Sequence, residues 1–211
     1  MNIFILILEV IGTVAFSVSG AMTGLKKGMD LFGVSILGLT TAVGGGIIRD
    51  LILGITPPVV FHKPLYAIIA VCTALIVFIP WVRKLLNRNH KIFELLLLIT
   101  DSIGLGIFTV AGIQTAYEST TDYNIFLLVF VGVVTGVGGG VMRDVLAGNM
   151  PYIFVKHIYA LASLIGALAC VLLLKAGGLN MAMAVGAVVV VIIRLLAARF
   201  KWSLPKASAV N

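Results

Sequence analysis

A chain of 211 residues that is 61% hydrophobic and 11% charged, with a mean hydropathy of +1.18, is too apolar for a water-soluble domain, in which apolar residues make up roughly 45–50% and charged ones about 25%. The net charge of +7 does not point to nucleic acid, because the basic residues fall between apolar runs and form no single patch. Cys72 and Cys170 lie inside apolar runs without ligand-like spacing, which argues against a disulfide framework or a metal site.

Crossing a bilayer takes about 20 predominantly apolar residues, and in chain order seven such runs are present, at 3–24, 32–54, 64–82, 92–115, 124–147, 157–175 and 179–199. The expected fold class is an all-α polytopic membrane protein, with residues 1–211 as a single transmembrane domain. The first run has no basic segment before it, carries Glu9 and has a counterpart later in the chain, so it reads as a span and not as a cleaved signal peptide. Alternating loops across the membrane puts Lys26, Lys27, Arg83, Lys84, Arg88, Lys91, Lys156, Arg199, Lys201 and Lys206 on one side, against Lys63 and Lys175 on the other. Positive-inside bias then places the N-terminus outside and the C-terminus in the cytoplasm.

The chain repeats itself. Thr41-Ala-Val-Gly-Gly-Gly-Ile-Ile-Arg-Asp-Leu-Ile-Leu-Gly54 returns as Thr135-Gly-Val-Gly-Gly-Gly-Val-Met-Arg-Asp-Val-Leu-Ala-Gly148. Glu9, Gly12 and Phe16 match Asp101, Gly104 and Phe108 at an offset of 92, and Pro58, Lys63, Tyr66 and Ala67 match Pro151, Lys156, Tyr159 and Ala160 at 93. The duplication covers three runs, about 3–82 and 92–175, and leaves the seventh outside. Because three is odd, the second copy must enter from the opposite face, giving inverted repeats about an axis in the membrane plane.

Glycine triplets and Arg-Asp pairs are costly in lipid, so each needs a reason. Gly44, Gly45, Gly46 and Gly138, Gly139, Gly140 can kink or open a helix and release carbonyls, or can simply let another helix approach closely. Residues one apart on a helix point about 100° apart. The expectation is therefore that Arg49 meets Asp144 and Arg143 meets Asp50 across the repeat, or that these groups reach freed carbonyls. They then form either a polar clamp or the lining or gate of a hydrophilic path. Thr41, Thr135, Ser17, Ser19, Thr40 and Thr109 add hydroxyls, and the matching acids Glu9 and Asp101 are candidates to face water inside the membrane. His62, Lys63, Lys156 and His157 open the third and sixth runs, as interfacial anchors or as pore-mouth or lipid-headgroup contacts.

No HExxH, Gly-x-Ser-x-Gly, P-loop or dinucleotide fingerprint is present in the sequence, so an enzyme and a bound cofactor are not expected. Two Gly-Gly-Gly-x-x-Arg-Asp segments in three-span repeats followed by a seventh span resemble the bacterial branch of the trimeric intracellular cation channel family, also called glycine-transporter-domain proteins. The resemblance spans about residues 5–200. It implies a homotrimer with a hydrophilic pore in each subunit, bounded by spans 2 and 5 kinked at their triplets, and potassium as the permeant ion. Animal members carry a Lys-Glu-Val stretch linked to phosphoinositide binding where this chain has Arg49-Asp50-Leu51. Two other functions fit the same elements: a secondary transporter of a small zwitterion such as glycine, and a non-transporting scaffold.

Overall fold

The computed structural model describes residues 3–87, 89–120, 123–155 and 158–202, and among them the regular elements are helices only. They are α1 (Ile3–Lys26), α2 (Leu31–Ile52), α3 (Val59–His62), α4 (Leu65–Phe78), α5 (Pro80–Asn87), α6 (His90–Ser119), α7 (Ile125–Leu146), α8 (Tyr152–Val155), α9 (Tyr159–Gly177) and α10 (Leu179–Arg199). Lys156 and His157 lie outside the described residues. Five helices, α1, α2, α6, α7 and α10, are long and apolar enough to cross a bilayer. The run expected at 64–82 is not one straight helix: α4 ends at Phe78, and Pro80 begins α5 at an angle of 73°. Proline cannot supply the N–H that would continue the helix. The apolar part of α9, Tyr159–Leu174, is shorter than the five long helices.

The repeated segments fold alike at both ends. Asp30 caps α2 by accepting from the Gly33 N–H at 2.7 Å, and Asn124 caps α7 by accepting from the Leu127 N–H at 2.8 Å. Both are side-chain caps of the kind that satisfy helix N-termini. At the other end the chain turns through Gly54 and Gly148, at φ 72° and 64°. Ile55 N and Asn149 N each reach back 2.8 Å to the carbonyls of Asp50 and Asp144. The left-handed conformation explains glycine at those two positions.

The helices α2 and α7 cross at their triplets, and both remain helical through them. A methyl on Gly45 would fall on the Thr135 carbonyl, and one on Gly139 on the Thr41 carbonyl. The triplets therefore serve close approach, and the expected release of carbonyls at a break is not found. Thr41 and Thr135, buried at this crossing, donate to Leu37 O and Val131 O one turn back, at 2.6 Å each. Phe16 and Phe108 pack beside it with ring centroids 5.2 Å apart and planes tilted by 32°. Buried Ala42, Leu105, Val137 and Val190 complete this middle layer of the core.

Candidate functional site: two ionic centres

Each Arg-Asp pair closes on itself. Arg49 Nε and Nη2 donate to Asp50 Oδ1 at 2.9 and 2.7 Å, and Arg143 Nε donates to Asp144 Oδ1 at 2.9 Å. The expected cross-repeat pairs, Arg49 with Asp144 and Arg143 with Asp50, are thus replaced by pairs within each dipeptide. The backbone angle between neighbours was a poor guide, because arginine's long stem lets its guanidinium curl over the last helical turn. The aspartates are held from the far side: Asp50 Oδ2 accepts from Val59 N at 2.8 Å and Asp144 Oδ2 from Tyr152 N at 2.9 Å. Each pair ties a helix end to the loop that follows it.

Beyond that shared geometry the centres diverge. In the first half, Glu9 accepts a hydrogen bond from the Tyr66 hydroxyl. These two, with Thr13, Gly46, Arg49 and Asp50, line a cavity of about 70 Å³, room for a few waters. The Arg49 side chain keeps 11% of its surface exposed. Two carboxylates face one guanidinium here.

In the second half the equivalent acid, Asp101, is buried between two arginines. Its Oδ1 accepts from Arg143 Nη1 at 2.6 Å, and its Oδ2 lies 3.7 Å from Arg194 of α10. Arg143 Nη1 also donates to Ser19 at 2.5 Å, and the Tyr159 hydroxyl stands 3.4 Å from Asp101. The guanidinium carbons of Arg143 and Arg194 sit 4.9 and 4.7 Å from the ring centroids of Tyr152 and Tyr159, a cation–π arrangement. Arg143 has no exposed side-chain surface and Asp101 has 1%. Two guanidiniums balance two carboxylates in a buried cluster, in which Asp101 Oδ2, Arg143 Nη2 and Arg194 Nε make no hydrogen bond within the described residues.

A second hollow, of about 470 Å³, adjoins this cluster through Tyr152 and is lined by Thr23, Lys26, Lys27 and Asn149. The first hollow reaches Glu9 and Thr13 in the N-terminal half of α1, and the second lies beside Thr23 and Lys26 at its C-terminal end.

Of the other predicted residues, Ser17 donates to Ala70 O at 2.6 Å, and Thr109 bonds Ser163 at 2.7 Å. These are matching contacts in the two halves. His62 and Lys63 are exposed beyond α2, at the turn into α4, and Thr40 is half-buried. Among the described residues no group of three or more His, Cys, Asp or Glu is placed to hold a metal ion.

The family model described as glycine transporter matches residues 6–81 and 98–175. The chain is 36% identical over 200 residues to the UPF0126 inner membrane protein YadS of Escherichia coli, covering 94% of this chain and 93% of that one. A structure solved to explain conductance through TRIC cation channels superposes with a TM-score of 0.84 at 39% identity, over 97% of this chain and 98% of the other. The chain belongs to the trimeric intracellular cation channel (TRIC) family. The TRIC orthologue from Rhodobacter sphaeroides agrees with it, at a TM-score of 0.86 and 30% identity over 95% of this chain and all of that one. The protein is therefore an integral membrane protein of TRIC fold.

Within that TRIC fold, sequence reading missed Arg194, Tyr159, Tyr152 and Tyr66 as members of the two centres. Arg194 carried a usable signal, a lone cation inside an apolar run, which should have demanded a buried partner. Tyr66 and Tyr159 stood out as matched repeat positions, but nothing in the spacing tied them to Glu9 and Asp101.

Proposed function

We propose that the protein is a channel for monovalent cations, potassium foremost, with its path inside each subunit of a homotrimer in the bacterial inner membrane. The observation that supports this is the pair of hollows, one beside Glu9 and Thr13 in the N-terminal half of α1 and one beside Thr23 and Lys26 at its C-terminal end, with the buried Arg143 cluster bordering the second through Tyr152. The identity of 39% to a TRIC cation channel supports it. The Glu9–Arg49–Asp50 cavity, with one carboxylate in excess, favours cations where they enter. The buried Arg143 cluster is the barrier in this reading, and conduction requires Arg143 and its partners to yield to water.

In this reading the chain crosses the membrane seven times, by α1, α2, α4, α6, α7, α9 and α10, with α5 turned aside at the end of α4. It is one domain, with repeats at 3–82 and 92–175 inverted in the membrane and the span at 179–199 outside them. The like caps, like turns and reciprocal glycine contacts of α2 and α7 support the inversion, as does a family model that matches two stretches. The ten-to-two bias of basic residues supports a cytoplasmic C-terminus. His62 and Lys63 would then stand at the outer face, within reach of lipid headgroups.

A glycine carrier, the reading suggested by the family description, needs a half-helix N-terminus at mid-membrane to hold a carboxylate. Unbroken α2 and α7 offer none. The deciding experiment is reconstitution in liposomes with potassium flux and labelled-glycine uptake measured side by side. Potassium flux without saturable glycine uptake is expected; saturable glycine uptake without potassium current would overturn the channel reading.

A further inference from the structure

The helix α5 takes no part in the two centres, and its sequence, Pro80-Trp-Val-Arg-Lys-Leu-Leu-Asn87, divides cleanly around the helix. At 100° per residue, Trp81, Leu85, Val82 and Leu86 fall on one arc, and Arg83, Asn87 and Lys84 on the opposite one. Only one edge of the apolar arc is used inside the protein, where Leu86 packs against the buried cluster of Met22, Phe93 and Leu97. Trp81 is left 73% exposed and Leu85 55% exposed. Both follow directly on the exposed Ile76 and Ile79 at the end of α4.

The charged face is equally unclaimed. Arg83 lies 5.2 Å from the Phe78 ring, and among the described residues no ion pair joins Arg83 or Lys84 to a carboxylate. Glu94, the acid at the start of α6, is bonded to Lys26 at 2.6 Å. A 73° turn at Ile79–Pro80 lays α5 across the axis of α4, at the end of the apolar run. A short helix with a bulky apolar face, a basic face and such an angle is suited to lie in a membrane interface.

We propose that α5 is a binding site for anionic phospholipid: Trp81 and Leu85 enter the acyl boundary while Arg83 and Lys84 hold the headgroup phosphate. Anionic lipid is the occupant that complements the basic arc, because a zwitterionic headgroup leaves those two charges unbalanced. Each basic residue near an anionic surface is worth about fivefold in affinity, so the pair gives the anionic lipid up to roughly 25-fold preference.

The test uses full-length protein in nanodiscs, in a Trp202→Phe background that leaves Trp81 as the sole tryptophan. Its fluorescence is quenched by brominated phosphatidylglycerol or brominated phosphatidylcholine, each at a low mole fraction in the same phosphatidylcholine bilayer. The expected result is several-fold stronger quenching by the brominated anionic lipid, abolished by Arg83→Gln with Lys84→Gln while quenching by brominated phosphatidylcholine persists. Equal quenching by the two lipids, no quenching by either, or a preference that survives the double substitution would each overturn the proposal. Potassium flux plays no part in the readout, so the channel reading stands or falls separately.

Discussion

The two Arg-Asp centres are built from matching residues on matching elements, yet one lines a cavity and the other is sealed. Glu9, Tyr66, Arg49 and Asp50 correspond to Asp101, Tyr159, Arg143 and Asp144, and both aspartates hold the backbone of the following loop in the same way. Three local differences separate them. The helix α10 brings Arg194 to Asp101, and among the described residues no ion pair is made by Glu9. Ser19 accepts from Arg143, whereas the position matching Ser19 at an offset of 92 is Ala111, which has no hydroxyl to offer Arg49. Where Val59 follows the first centre, Tyr152 covers the second. The matching residues give the two centres a common frame, and Arg194 of α10 belongs to only one of them.

The comparison predicts unequal penalties. Arg143→Ala leaves Asp101 and Asp144 short of a partner in a site with no solvent, and loss of one member of a buried pair costs about 3–5 kcal/mol. Thermal unfolding in detergent should show a large loss of stability, and a smaller one for Arg49→Ala, whose partner Asp50 borders a cavity with room for water and is also held by the Val59 N–H. Equal losses would mean that the halves are not differently sealed.

Next in size is the crossing. Gly139→Ala or Gly45→Ala drives a methyl onto a carbonyl of the opposite helix, and overpacking of this kind costs about 1–3 kcal/mol. At Gly46 the nearest atom to such a methyl is Arg49 Nη2 at 3.7 Å, the end of a flexible side chain, so Gly46→Ala should leave stability within about 0.5 kcal/mol. A tolerant Gly139 would remove the close crossing from the account. The smallest stability change is expected for Glu9→Gln, which keeps an acceptor for Tyr66 in a cavity with room for water. Its effect should be read instead in single-channel recordings, as reduced potassium conductance.

Helix positions were legible because apolar run length is a strong constraint in a membrane: α1, α2, α7 and α10 begin and end within a few residues of the expected runs. The repeat was legible because its residues recur at nearly fixed offsets. Partner choice was not. The spacing of Arg49 and Asp50 fixes where their stems leave the helix, but not where a long flexible side chain ends. The seal around Asp101 depends on Ser19, 82 positions earlier, and Arg194, 93 positions later, and only packing brings them together. The bend at Ile79–Pro80 was signalled by proline, yet the surrounding apolar run concealed it.

The division of labour between an open and a sealed centre is tested most directly by cysteine accessibility. In a background with Cys72 and Cys170 replaced by alanine, Glu9→Cys and Asp101→Cys are each exposed to a charged, water-soluble thiol reagent while potassium current is recorded. Reaction at position 9 that alters the current, with position 101 unreactive in folded protein, is the predicted result. Comparable reactivity at both positions, or none at position 9, would contradict it.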